Sequence, residues 1–143
     1  MIDPATPADV ITGSDIIGAL LLAHEPLTGF VPAERIRAAR LGDVPLPALV
    51  VTEISSVDRQ TLKTGRFVRT TDRVSVTVRT VNHRDRKLAI RLVRQACAGR
   101  TGTIAGASRV SVLTAGRGPE MDGPGNSFEQ AQDFKVSFDQ PAF

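Results

Sequence analysis

Between Arg66 and Cys97 the hydrophobic pattern changes its period, and that change restricts the fold more than any other feature of the chain. In "RVSVTVRT", Val74, Val76 and Val78 alternate with Ser75, Thr77 and Arg79, which gives a strand with one apolar and one polar side. That strand is expected over Arg66 to Val81. Past Asn82, a residue suited to cap a helix, the apolar positions recur at helical spacing over His83 to Ala98. At about 100° per residue, Leu88, Ala89, Ile90, Leu92, Val93, Ala96 and Cys97 cover an arc of roughly 200°. Arg84, Lys87, Arg91 and Arg94 fall on the remaining side. So broad an apolar arc implies contact with both a sheet and another helix, and Gly99 ends the element.

The rest of the chain supplies the partners. Residues 1–11, with Pro4 and Pro7, read as a flexible N-terminal arm, and residues 12–143 as one α+β domain. Thr12 or Ser14 caps a first helix carrying Ile16, Ile17, Leu20 and Leu21, which Pro26 ends near His24. "RIRAAR" (Arg35 to Arg40) is a short candidate strand, and "ALVVTEISS" (Ala48 to Ser56) a strand by its β-branched content. Polar Val57 to Arg66 reads as a protruding loop. Thr103 to Ala115 is expected as one strand with a bulge or bend at Gly106, and Gly116 to Asn126 as a loop. In the final strand, Ser127 to Asp139, one face carries Phe128, Phe134, Val136 and Phe138 and the other Glu129, Asp133 and Asp139. The order α-β-β-β-α-β-β predicts a mainly antiparallel sheet of about four to five strands with both helices on one face. The opposite face would then present Arg69, Arg73 and Arg79 beside Glu129, Asp133 and Asp139.

A chain without Trp or Tyr must build its core from Val, Ile, Leu and Ala, with a few Phe. The longest apolar run, Ile16 to Ala23, is too short to span a bilayer, and Asp3, Asp9 and Asp15 precede it where a secretory signal needs positive charge. Cys97 is the sole cysteine, so no intrachain disulfide forms; these features together favour a cytosolic protein. The net charge of +3 conceals a bipolar chain. Residues 1–58 hold three Arg against eight Asp or Glu, residues 59–100 twelve Arg or Lys against Asp72 and Asp85, and residues 101–143 three basic against five acidic groups. Either neighbouring elements neutralise one another inside a subunit, or a basic face of one copy meets an acidic face of the next.

Chemistry finds little to work with. His24 and His83 are the only imidazoles, each best read as a solvent-facing or capping residue, and no G-x-S-x-G elbow accompanies them. No His-x-x-x-His or Cys-x-x-Cys pair offers metal-ligand spacing, and Cys97 sits in the apolar arc as a packed, inert thiol. Neither glycine-rich segment has the form of a phosphate-binding loop. The sequence thus points to no enzyme and no cofactor. The basic run suits phosphates, but Phe67 is its only aromatic, so it lacks the stacking platforms of single-strand binders.

"RIRAARLGDVPLPALVV" (Arg35 to Val51), followed by a polar loop, "RVSVTVRT" and a charged helix, resembles the tail-terminator or tail-completion proteins of long-tailed bacteriophages and related gene-transfer particles. The likeness lies in element order and runs from about Ile11 to Asp139. It implies a virion structural protein that forms a ring, usually hexameric, at the head-proximal end of the tail after assembly in the bacterial cytoplasm. Such a ring caps the tube, ends its polymerisation and offers a docking surface to head-completion or neck proteins. DNA passes through the lumen without specific recognition, and no membrane is involved. Another neck adaptor or tail component is the neighbouring reading, and a basic nucleic-acid-binding module the rival of a different class.

A one-chain ring joins two different patches of its subunit. On that premise Arg69, Arg73, Arg79, Arg84, Lys87, Arg91 and Arg94 are candidates for a positive half of the interface, and Glu129, Asp133 and Asp139 for the negative half. The polar loop supplies candidate tube contacts in Asp58, Arg59, Gln60, Thr61, Leu62, Lys63 and Thr64.

Overall fold

A computed structural model describes residues 10–63 and 65–142. Most of the expected arm (residues 1–9) and the candidate Thr64 lie outside the described residues. Two helices, α1 (Gly13–Ala23) and the single turn α2 (Glu25–Thr28), precede β1 (Ile36–Ala38), β2 (Ala48–Arg59) and β3 (Phe67–Thr80). Helix α3 (His83–Cys97) follows, then β4 (Thr101–Ile104), β5 (Ala107–Arg117), β6 (Met121–Gly123) and β7 (Ser127–Pro141).

The class is α+β, but the sheet is larger than expected and mixed. It has seven strands in the order β1-β2-β3-β7-β5-β4, with β6 added to the start of β7. β1 pairs parallel to β2, and every other pairing is antiparallel. Two extra strands appear: the single strand expected over Thr103 to Ala115, bent at Gly106, is instead two antiparallel strands, and the expected loop Gly116 to Asn126 contains a third short one. Thr101 to Arg117 is a hairpin turning at Ala105 (φ 53°) and Gly106 (φ 85°), two left-handed residues of the kind that a tight two-residue connection needs. Within Gly116 to Asn126, Met121–Gly123 pairs back onto Ser127–Glu129.

Local chemistry sets the helix starts. Thr12 Oγ1 accepts from Asp15 N while Asp15 Oδ2 accepts from Thr12 N at 2.9 Å, a reciprocal cap for α1. Asn82 Oδ1 accepts from Asp85 N at 2.8 Å to open α3, and Gly99 (φ 76°) follows its end. Helix α1 abuts the sheet at Gly13, whose N–H donates to Asp72 Oδ2 at 2.8 Å.

Val74, Val76 and Val78 of β3 and Phe134, Val136 and Phe138 of β7 are buried on one sheet face against Ile16, Ile17 and Leu21 of α1 and Ile90, Val93 and Cys97 of α3. Leu88, expected in the apolar arc, is exposed at its rim.

Candidate functional site

The outer face of the sheet is a ladder of ion pairs. Arg69 and Asp139 stand directly opposite in the β3–β7 register, 3.2 Å apart. Arg79 bonds its own opposite number, Glu129. Arg73 reaches diagonally to Asp133 at 2.9 Å and also donates to the Ala115 carbonyl. The strand residues expected on two different interface halves therefore face one another inside a single subunit. Such cross-strand pairs each contribute up to about 1 kcal/mol and fix the register.

The α3 candidates are placed differently. Arg84, Lys87 and Arg91 are exposed, and no ion pair among the described residues involves them. Half-buried Arg94 donates to Gln132 Oε1 at 3.0 Å, and Gln132 Nε2 donates to the Gly116 and Asp133 carbonyls. Beside this helix face, Lys87, Arg91, Arg94 and Arg117 line a shallow groove of about 340 Å³ with Glu120 and Gln130.

Sequence reasoning missed the groups that brace this face. Arg86 is buried, its guanidinium bound by Glu120 and by His83 Nδ1 at 2.7 Å. A guanidinium can only donate, so Nδ1 is the acceptor of this bond. Arg86 falls inside the apolar arc, about 20° from Val93 on the helical wheel. A charge there was the available signal, as was Gln132 on the Phe134 face of β7.

At the other end of β3 the polar loop is shorter than expected. Val57, Asp58 and Arg59 belong to β2, where Asp58 accepts from Thr70 Oγ1 at 2.8 Å and from Gln140 Nε2 at 3.1 Å. Gln60, Thr61, Leu62 and Lys63 project at the tip as exposed residues, Leu62 completely so. Below them Arg59, Phe67, Arg69, Arg109 and Asp139 line a cleft of about 490 Å³.

The groups a catalyst would use lie scattered. His24 links α1 to α2 with its Nε2 buried and without a hydrogen-bond partner among the described residues, whereas His83 serves Arg86. Burial pushes the Cys97 thiol up to about 12, which keeps it protonated. Among the described residues no group of three or more His, Cys, Asp or Glu is arranged to hold a metal ion, and no helix is long and apolar enough to cross a membrane. One carboxylate is strongly perturbed. A hydrogen bond to Asp72, then partial burial and the nearby charges of Asp72 and Asp15, raise Glu53 from 4.5 to about 7. Asp72 is buried, and its Oδ1 has no hydrogen-bond partner among the described residues.

No protein-family model and no curated protein matches the sequence. Among solved structures, the fold is similar to that of a chain in the virion of a native gene transfer agent particle. The TM-score is 0.67 at 13% identity, over 90% of this chain and 95% of that one. At such low identity the likeness is one of fold.

Proposed function

We propose that this chain is a structural component of a tail-like particle, and more specifically the ring that caps the head-proximal end of its tail tube. The observation that carries the reading is the fold shared, over nearly the full length of both chains, with a component of a gene transfer agent virion. The element order read from the sequence points the same way, and the scattered histidines and protonated thiol argue against catalysis. In this reading the subunit forms a ring, hexameric by analogy, that ends tube polymerisation and receives a head-completion or neck protein.

The charge assignment follows from which groups are free. Arg69, Arg73 and Arg79 and their carboxylates are assigned to holding the sheet, because using them between subunits means breaking pairs within one. The positive half of the interface is assigned to Arg84, Lys87 and Arg91, flanked by Arg94 and Arg117. The negative half is assigned to the exposed carboxylates Asp15 and Glu25 of the acidic N-terminal segment. Charge sets register and partner choice, while apolar contacts supply the affinity. The hairpin tip, Gln60 to Lys63, is assigned to the tube.

Negative-stain imaging of the purified protein with and without tail tubes tests the reading. Rings seated on tube ends are expected; a protein that stays monomeric at every concentration and ignores tubes overturns it. The basic face of α3, whose Arg84, Lys87 and Arg91 form no ion pair among the described residues, favours one alternative, binding to a nucleic-acid backbone. A gel shift at low salt by a protein that sediments as a monomer would favour that alternative.

A further inference from the structure

The cleft beneath the β2–β3 hairpin brings together three arginines from three strands around one carboxylate. Arg69 Nη1 and Arg109 Nη1 each lie 3.2 Å from a different oxygen of Asp139. Arg69 also donates to the Arg109 carbonyl, which fastens a residue whose backbone stands at φ 53°. That left-handed residue sits at the bulge where the β5–β7 register shifts between Ser108 and Ser111, which turns the Arg109 side chain towards Asp139. Each oxygen of Asp139 thus accepts from one guanidinium, while the remaining N–H groups of Arg69 and Arg109 have no acceptor among the described residues. Arg59, at the end of β2, has no ion-pair partner among the described residues. The cleft therefore holds a net positive charge on pre-oriented guanidinium groups.

We infer that this cleft binds a carboxylate of an acidic peptide segment on a partner protein. Guanidinium forks match a planar carboxylate in two-point contacts. Half-exposed Phe67 lines the same cleft and gives a glutamate stem apolar surface to lie on. A duplex backbone calls for an open, many-point basic surface. This concave site, with Asp139 in its wall, fits that demand poorly. The identity of the partner as the tube rests on the function proposed above, because Gln60 and Thr61 of the hairpin also line the cleft; the chemistry of the cleft does not.

The test is fluorescence anisotropy of a labelled oligoglutamate peptide with the full chain, compared with Arg59→Ala, Arg109→Ala and, on the other basic surface, Arg91→Ala. Arg59 and Arg109 are exposed enough to be removed without unfolding the chain. Each cleft variant is expected to weaken binding about tenfold, the scale of one charged hydrogen bond. Arg91→Ala is expected to leave binding nearly unchanged. Equal loss from Arg91→Ala, or no loss from the cleft variants, overturns the inference. So does a DNA duplex that displaces the peptide and itself depends on Arg59 and Arg109. None of these outcomes depends on ring formation, so the ring reading stands or falls separately.

Discussion

Arg86, only 2% exposed, is held by Glu120, a residue of the short link between β5 and β6. The pair pins that link onto α3, beside the basic face assigned to subunit contact. Removing Glu120 leaves a buried cation short of its counter-charge. Glu120→Ala is expected to lower unfolding stability by about 1–3 kcal/mol in urea titrations. Adding Arg86→Met is expected to restore much of the loss, because an apolar side chain there requires no partner. A double variant as unstable as Glu120→Ala would show that Glu120 acts by packing instead.

Gly13 makes a similarly specific demand. A Cβ at this position would lie 2.7 Å from Asp72 Cβ, with Val74 Cγ2 also within 3.1 Å. Both neighbours belong to the central strand and have no room to retreat. Gly13→Ala is therefore expected to destabilise by about 1–3 kcal/mol as overpacking, against the usual gain from replacing glycine in a helix. Gly18, also in α1, has open space on its side-chain side, with nothing within 4 Å of where a Cβ would stand. It serves as the control: Gly18→Ala is expected to be neutral or stabilising.

Much of this architecture is legible in the sequence wherever one periodic pattern is long. Val74, Val76 and Val78 alone orient β3, and Asn82 and Gly99 bracket α3 to within a residue or two. Legibility fails where short strands gain order only from a neighbour. Met121–Gly123 has no pattern of its own and becomes a strand because Ser127–Glu129 lies alongside. Val57 to Arg59 reads as loop because its side chains are exposed, although Thr71, Thr70 and Arg69 pair with its backbone. The charged residues were readable as a set, but not their partners. Whether Arg79 meets Glu129 of its own chain or of another depends on β3 and β7 being neighbours in register, which residue spacing does not encode.

Glu53 gives the pH dependence a sign. Its folded-state value lies above its unfolded one, so folding favours the protonated form. The contribution of this group is fully present below about 4.5 and is lost as pH rises through about 7. Glu53→Gln keeps a neutral donor beside Asp72 and removes the titration. The difference in stability between Glu53→Gln and the unaltered protein is expected to grow in favour of the variant across that interval. A difference that does not change with pH would mean that Glu53 is not coupled to Asp72.

Charge reversal separates charges that hold the subunit from those assigned to hold the ring. Arg79→Glu sets two carboxylates directly across β3 and β7 and is expected to lower subunit stability by about 1 kcal/mol or more. Glu129→Arg in the same chain is expected to recover part of that loss by restoring an opposite pair. Arg91→Glu sits on an exposed helix face, so its effect on unfolding is expected to stay within about 0.5 kcal/mol. In native mass spectrometry Arg91→Glu is expected to shift the oligomer towards monomer, and the Arg79–Glu129 swap is expected to leave it intact. If the swap dissolves the oligomer while Arg91→Glu does not, the contact between copies lies on the strand face and the assignment to α3 is wrong.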